Sequence, residues 1–169
     1  MKKILLEASG SMVSSYMIAS IQDAGHLSVA SDISEKVVGN YLANHFAIAP
    51  KATDPDLWLR QKELLINNDI DIVFPSLDET LLGWSKRIEE FSEFGTKVII
   101  SPKKTIDIFT DKWKTNNFFK NNNIPTPRSS LTQDYPLIKP IHGRGAVGVR
   151  IEDKPITMTG LISQEVLNG

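Results

Sequence analysis

Three glycines at the spacing G-x-G-x-x-G, Gly143, Gly145 and Gly148, mark the segment of this chain best suited to chemistry. Lys139 ends an apolar run just before them, and Arg144 lies between the first two. Because glycine has no side chain, the backbone N–H groups of such a loop can approach an anion closely. The two cationic side chains add charge-assisted hydrogen-bond donors. The pattern predicts either a phosphate-binding loop or an ordinary glycine-rich β-hairpin, and the loop alone does not separate the two.

The residues after Gly148 argue against a dinucleotide-binding turn. Such a turn needs a strand, the glycines and then a helix whose N-terminus faces the pyrophosphate. Here apolar and charged residues alternate over 149–152 and Pro155 follows, which is typical of a strand. We therefore predict a loop between two strands that folds over phosphate groups as a flap.

The basic residues are concentrated in the part of the chain that contains this loop. The net charge is −1, but residues 1–111 carry 11 Lys/Arg against 16 Asp/Glu, whereas residues 112–169 carry 8 against 4. A small anionic ligand accounts for such a local excess. No basic run with interleaved aromatic residues is present, so we expect no nucleic-acid partner.

Composition limits the class of protein further. The 169 residues contain no cysteine, which excludes disulfides, thiolate metal sites and cysteine nucleophiles. Hydrophobic residues make up 41%, enough for a buried core, and no apolar run has membrane-spanning length. The apolar part of the N-terminus is too short for a signal peptide. A cytoplasmic protein without membrane contact is the expectation.

The first two thirds alternate between short apolar runs and segments of helical periodicity. Predicted strands cover residues 4–8, 27–30, 46–49, 70–75 and 97–101, and predicted helices cover 12–24, 35–44, 54–68 and 78–95. This alternation predicts an α/β fold with a parallel, doubly wound sheet. Gly25 is expected to end the first helix in the left-handed conformation, and Asp54 with Pro55 to begin the third.

Ligands on such a sheet bind beyond the carboxyl ends of the strands. Ser9, Gly10, Asp78 and Glu79 lie at those ends and are the candidate substrate-binding residues. Asp78 and Glu79 have an alternative role, since acidic side chains stabilise a helix N-terminus. Asp32 stands where a ribose-binding acid could lie, but the first turn has a single glycine. We interpret Asp32 as a loop or cap residue, and a nicotinamide-dependent dehydrogenase on residues 1–101 is disfavoured.

The last third begins with a helix, for which Asp111 is the expected N-cap and in which Phe118 and Phe119 are expected to pack inward. The glycine loop and a closing apolar run follow. Five motifs here, in this order, together resemble the ATP-grasp superfamily, most of all carboxylate–amine ligases similar to the carbamoyl-phosphate synthase large chain. The motifs cover residues 110–112, 123–127, 136–140, 143–149 and 164–167.

The resemblance extends over the whole chain, because residues 74–79 also match the fourth strand end of the Rossmann-like domain that precedes the grasp. It implies a Rossmann-like pre-ATP-grasp domain over 1–110 and a small α+β N-terminal lobe of the ATP-grasp domain over 111–169, truncated at the hinge. It also implies a set of ATP contacts: two lysines, the glycine loop over the β- and γ-phosphates, and a hinge strand whose backbone pairs with adenine. The residues are Lys112, Lys139, Gly143, Arg144, Gly145, Gly148, Glu165, Val166 and Leu167.

The family pattern continues beyond the hinge with a larger lobe that carries the Mg²⁺ ligands. The resemblance therefore implies ATP and Mg²⁺ as cofactors, with the metal ligands outside this chain, and a small carboxylate and amine as substrates. We expect weak or no ATP binding by the chain alone and no turnover. An unpaired hinge strand at 162–167 is expected to form an exposed sheet edge, so we expect a homodimer, a separate lobe as partner, or disorder of the C-terminal third. The alternatives to a ligase fragment are a non-catalytic nucleotide- or metabolite-binding module and one half of a split ligase.

Overall fold

The computed structural model describes residues 1–167 and divides into two compact units, Met1–Ser101 and a second that begins at Pro102. The helix Lys103–Phe109 counts with the second unit, whereas the sequence-based boundary lies after residue 110. Within the described part of the chain, no helix combines the length and apolar character needed to cross a bilayer.

The first unit is a five-stranded parallel sheet with helices between successive strands, as predicted. Its strands have the order β3-β2-β1-β4-β5. The strands are β1 (Lys3–Leu6), β2 (Leu27–Asp32), β3 (His45–Ile48), β4 (Ile72–Phe74) and β5 (Lys97–Val98). The helices are α1 (Ser14–Asp23), α2 (Val38–Leu42), α3 (Leu57–Asn67), α4 (Asp78–Ser85) and α5 (Ile88–Ser92). The strand order reverses at β1, so the carboxyl ends of β1 and its two neighbours flank the switch point where ligands of such sheets bind.

The central strands are buried on both faces, which explains their continuous apolar runs. Leu5 of β1 packs into one cluster with Val73 and Trp84, and the next residue, Leu6, packs into a second cluster with Ile18. Successive side chains of a strand point to opposite faces, so β1 supplies both cores.

Three of the predicted helices differ from the structure. The second, predicted over 35–44, is limited to Val38–Leu42. The segment 78–95 forms two helices, α4 and α5, instead of one. The third helix begins at Leu57 rather than at Pro55; the Asp54 carboxylate accepts the N–H of Asp56 in the turn before it. The side chain of Asp54 thus caps a turn that leads into the helix. Gly25 has φ +77°, so the left-handed end of α1 is confirmed.

The second unit has two helices and a four-stranded antiparallel sheet. The helices are α6 (Lys103–Phe109) and α7 (Lys112–Asn121). The strands β6 (Ser129–Ser130), β7 (Leu137–Pro140), β8 (Arg150–Ile151) and β9 (Leu161–Gln164) lie in the order β6-β9-β7-β8. The Asp111 carboxylate accepts the N–H groups of Trp113 and Lys114, which confirms it as the N-cap of α7. Phe118 and Phe119 pack against Phe109 of α6.

The structure corrects the expectation of an unpaired hinge strand. β9 lies between β6 and β7 and pairs with both. The pairing with the β6 side extends one residue further, because the N–H of Glu165 donates to the carbonyl of Arg128. The segment before β6 returns antiparallel to β9, so the predicted exposed edge is an interior strand, and the β-edges of this sheet are β6 and β8.

Candidate functional site

The glycine loop connects β7 to β8, which pair antiparallel, as predicted for a loop between two strands. Residues 142–150 are all exposed to solvent. Gly143, Gly145 and Gly148 have φ values of +123°, +61° and +77°. Residues other than glycine rarely adopt a positive φ. The loop is therefore built around its glycines and leaves its backbone open to a ligand.

Lys139 lies on β7 at the foot of this loop and is held by a chain of hydrogen bonds. Its Nζ donates to Oε1 of Gln164 at 2.7 Å, and the Nε2 of Gln164 donates to Oγ of Ser129 at 2.9 Å. Ser129 in turn donates to the carbonyl of Pro127 at 3.1 Å. Every donor in this chain points the same way, so Lys139 is oriented by neutral groups.

Sequence reasoning did not identify Gln164 as a site residue. β7 and β9 pair with Leu137 opposite Gln164, which makes Gln164 a diagonal neighbour of Lys139 on one face of the sheet. Only this register brings the amide to the lysine. The strand periodicity of 161–164 shows which residues share a face, but it does not show the partner strand.

Lys112, the first residue of α7, reaches the same loop from the helix side. Its Nζ donates to the carbonyl of Gly143 at 2.8 Å, and its backbone N–H donates to the carbonyl of Ile141 at 3.1 Å. Burial lowers the pKa of Lys139, and the positive charge of Lys112 lowers it further. Two ammonium groups thus share one region, and the atoms they contact are uncharged oxygens. Such an arrangement attracts an anion.

The Glu165 carboxylate is engaged by Arg128. Its Oε1 accepts the backbone N–H of Arg128 at 2.8 Å, and its Oε2 accepts the guanidinium Nε at 2.7 Å. These bonds hold the pKa of Glu165 below its usual range. Val166 and Leu167 follow β9 with half or more of their surface exposed. The adenine contact that the resemblance implies for residues 165–167 stays a prediction.

Replacing Arg128 with Ala should raise the pKa of Glu165 only part of the way to its ordinary value, because the backbone N–H of residue 128, the larger cause of the lowering, is retained and only the guanidinium is lost. Since the carboxyl pKa is lowered in the folded protein, the ion pair contributes stability above the unfolded-state pKa and loses it as the pH falls through the folded-state pKa. The wild type and the variant should therefore converge in stability on acidification and differ near neutral pH. NMR titration of the Glu165 carboxyl carbon, with urea unfolding at each pH, measures both effects, and an unchanged Glu165 pKa in the variant would contradict the assignment.

Of the four candidate substrate-binding residues, Ser9 has a buried hydroxyl and Gly10 has a backbone N–H that is already hydrogen-bonded. Ser9 is fully buried, and its hydroxyl is directed at Gly39, where an added Cβ would lie 2.4 Å from Oγ. The N–H of Gly10 donates to the carboxylate of Asp32, the last residue of β2, at 2.9 Å, and the interpretation of Asp32 as a loop or cap residue stays a prediction. Direct substrate contact by the Ser9 side chain is therefore not supported by its position. Asp78 and Glu79 are exposed in the first turn of α4.

A buried carboxylate that sequence reasoning overlooked joins these strand ends. Glu7 follows β1 with 5% of its surface exposed, and it accepts hydrogen bonds from the side chains of Thr80 and Trp84 and from the backbone N–H groups of Ser76 and Leu77. Burial raises the pKa of Glu7, against the effect of these four donors. A charged residue inside the apolar run 4–8 was the available signal. Glu7 fixes the start of α4, and hence the turn that presents Asp78 and Glu79.

No group of three or more His, Cys, Asp or Glu side chains in residues 1–167 is arranged to hold a metal ion. The resemblance assigns the Mg²⁺ ligands to a part of the family pattern beyond this chain, and that assignment stays a prediction.

Comparison with known proteins supports the resemblance. No family model matches the sequence. A carbamoyl-phosphate synthase of Methanobrevibacter smithii is 23% identical over 147 residues, which is 79% of this chain and 39% of that protein. The chain therefore spans about two fifths of the curated relative that it matches.

Solved structures with the same fold cover nearly the whole chain. N5-carboxyaminoimidazole ribonucleotide synthetase from Thermotoga maritima superposes with a TM-score of 0.67 at 19% identity, over 98% of this chain and 46% of that one. The biotin carboxylase domain of the Hydrogenobacter thermophilus 2-oxoglutarate carboxylase has a TM-score of 0.63 at 20% identity, over 89% and 37%. That domain was solved as a dimer with MgADP, ADP and bicarbonate. This chain is therefore similar in sequence to part of a carbamoyl-phosphate synthase and has the fold of these synthetase and carboxylase structures, in agreement with the resemblance to the ATP-grasp superfamily.

Proposed function

We propose that this chain is the N-terminal part of an ATP-dependent carboxylate–amine ligase, and that its second unit binds the phosphate groups of the nucleotide. One observation carries the proposal: the ammonium groups of Lys112 and Lys139 lie at the base of an exposed glycine loop and contact only uncharged acceptors there. A charged carboxylate partner would neutralise them, whereas neutral acceptors orient them and leave their field available to a phosphate.

In the proposed reaction, the γ-phosphoryl group of ATP is transferred to a carboxylate, and an amine then attacks the acyl phosphate and displaces phosphate. Activation is needed because a carboxylate is a poor electrophile until one of its oxygens becomes a phosphate leaving group. The residues of this chain act by positioning and by charge. Lys139 and Lys112 hold phosphate oxygens, and the backbone N–H groups of residues 143–148 close over them.

Magnesium, when bound, would supply positive charge that offsets the charge developing on the phosphate groups. In this proposal its ligands belong to a further lobe, and the same lobe or a second copy of the chain completes the nucleotide cleft. The first unit contributes the turn before α4, with Asp78 and Glu79, to substrate binding. A non-catalytic binding module is the alternative, and it predicts nucleotide binding without turnover when the catalytic lobe is supplied.

Replacing Lys139 with Met should weaken ATP binding by about 10- to 100-fold, since hydrogen bonds to charged groups contribute roughly 1.5–3 kcal/mol. NMR titration of ¹⁵N-labelled protein with ATP is the suitable measurement, because it detects weak binding and locates it through the amides of residues 139–148. Lys120→Met is the matched control, since Lys120 is an exposed lysine at the far end of α7.

ATP-dependent shifts centred on residues 112, 139 and 143–148 in the wild type and in Lys120→Met, and their loss in Lys139→Met, would support the proposal. Shifts elsewhere, or equal affinity in all three proteins, would refute it. A protein that shows no shift at millimolar ATP, with its loop signals visible, would also count against a nucleotide site in this unit.

A further inference from the structure

The base of the glycine loop is fastened to the start of α7 by hydrogen bonds that involve Lys112 and His142. The Lys112 ammonium donates to the Gly143 carbonyl at 2.8 Å, and the Lys112 N–H donates to the Ile141 carbonyl at 3.1 Å. The Nδ1 of His142 lies 3.1 Å from the carbonyl of Thr110. Three consecutive residues of the loop base, 141–143, are therefore tied to Thr110 and Lys112 at the helix start.

The distal part of the loop is organised differently. Its backbone hydrogen bonds run within the loop, from Val147 to the Arg144 carbonyl and from Val149 to the Ala146 carbonyl. All of these residues are exposed. Gly143 lies at the junction between the two parts and has a φ of +123°. Glycine adopts this backbone conformation without the strain that a side chain would cause.

Two of the contacts at the loop base come from side chains, those of Lys112 and His142, and neither is part of the backbone pairing that builds the helix or the hairpin. Of the two lysines, only Lys112 donates to the loop itself, since Lys139 donates to Gln164. An ammonium group has three donors, and the carbonyl of Gly143 uses one of them at close range. A second, longer hydrogen bond joins the ammonium group to the Ile141 carbonyl at 3.5 Å, and the remaining donor can reach a phosphate oxygen while the bond to Gly143 stays in place.

We propose that Lys112 is a clasp: its ammonium group fixes Gly143 before any nucleotide is bound, so that the loop moves only beyond this residue. A contact between Lys112 and a phosphate group rests on the proposed function. The fixing of the loop by Lys112 does not depend on it. Because the loop base is already ordered, nucleotide binding does not have to order it, and the entropy lost on binding is smaller. Lys112 thus serves as a positioning residue for the loop in addition to any contact with the ligand.

Native-state trypsin digestion of the whole chain, without nucleotide, tests the clasp. Cleavage after Arg144 requires the loop to open, and its rate follows the population of the open form when opening is fast. Lys112→Met should raise that rate about tenfold, because a hydrogen bond from a charged donor is lost. Lys114→Met is the matched control, since Lys114 lies on the same helix, pairs with Asp107 and does not contact the loop.

Cleavage after Arg128, outside the loop but in the same unit, serves as the internal reference for general destabilisation. The clasp is supported if the ratio of cleavage after Arg144 to cleavage after Arg128 rises in Lys112→Met alone. An unchanged ratio in Lys112→Met overturns it, and so does an equal rise in Lys114→Met. This test does not depend on ATP. If the cleavage ratio rises in Lys112→Met but the loop amides show no shift with ATP, Lys112 is a loop-positioning residue and the proposed function is wrong.

Discussion

Replacing Glu7 with Leu should destabilise the first unit by about 3–5 kcal/mol, the range found when one partner of a buried charged network is removed. The carboxylate accepts from Trp84 Nε1 at 3.0 Å, from Thr80 Oγ1 at 2.8 Å and from the N–H groups of Ser76 and Leu77 at 3.1 and 3.2 Å. A leucine side chain accepts none of these bonds. Each donor left unpaired in the interior costs on the order of 1–3 kcal/mol, and the added apolar contact offsets part of the total.

Glu7→Gln separates the hydrogen bonds from the charge. Burial raises the pKa of Glu7, so the fold favours the neutral form relative to the unfolded chain, and a neutral amide retains one acceptor oxygen. The glutamine variant should lose clearly less stability than the leucine variant. Because the folded-state pKa is raised, the contribution of Glu7 is fully present below its unfolded-state pKa and declines as the pH rises through the folded-state pKa. The stability deficit of Glu7→Gln should accordingly shrink with rising pH.

Urea unfolding, followed by tryptophan fluorescence, measures both variants, and Glu63→Leu on the exposed face of α3 is the control for simply removing an acid. If Glu7→Leu lost no more stability than this surface variant, the four hydrogen bonds to Glu7 would not contribute to the stability of the first unit. The start of α4 would then need another explanation for its position.

Replacing Gly83 with Ala should destabilise the same unit by about 2 kcal/mol, although alanine is the better helix former by roughly 1 kcal/mol. Gly83 lies within α4, and a Cβ built on it would lie 1.9 Å from Cζ2 and 2.7 Å from Cη2 of the Trp58 ring. The ring cannot move without loss, because it packs edge-on against Trp84 at 5.4 Å and carries the Arg87 guanidinium 4.3 Å from its centroid. Overpacking of this kind costs about 1–3 kcal/mol, and the displaced ring forfeits further contacts.

A double-mutant cycle with Trp58→Leu separates the steric clash with the Trp58 ring from the gain in helix propensity. In the Trp58→Leu background the clash is absent, so Gly83→Ala should become neutral or stabilising through helix propensity alone. Thermal unfolding of the four proteins gives the coupling energy. A Gly83→Ala cost that persists without the Trp58 ring would show that the glycine is required for a reason other than this contact.

Both predictions concern the carboxyl side of the first sheet, where Glu7 and α4 hold the turn before Asp78 and Glu79. The proposed substrate region therefore depends on buried groups that themselves contact no ligand. The proposed nucleotide region in the second unit follows the same principle, since Gln164 and Ser129 orient Lys139 without being exposed donors to a phosphate.

Much of the architecture could be predicted from the sequence because it depends on local patterns. The alternation of apolar runs with helical periodicity gave the parallel sheet, and Asp111 was recognisable as an N-cap from its position before a helical run. Where the prediction failed, tertiary contacts outweighed local preference. The segment 78–95 divides into α4 and α5 around Lys86 and Arg87, although no helix-breaking residue lies between them.

By itself, the sequence determined the glycine loop, its two flanking strands and the cationic residues near it, because spacing and residue type within a short window specify these features. The tertiary structure decided which groups those cations meet. Lys112 meets Gly143 across 31 residues, Lys139 meets Gln164 across 25, and Glu7 meets Trp84 across 77. The register of β7 against β9 and the close approach of the loop base to α7 set the first two of these meetings, and the adjacency of β1 and β4 sets the third. Contacts between residues so far apart depend on how the packed elements align, which no local pattern in the chain encodes.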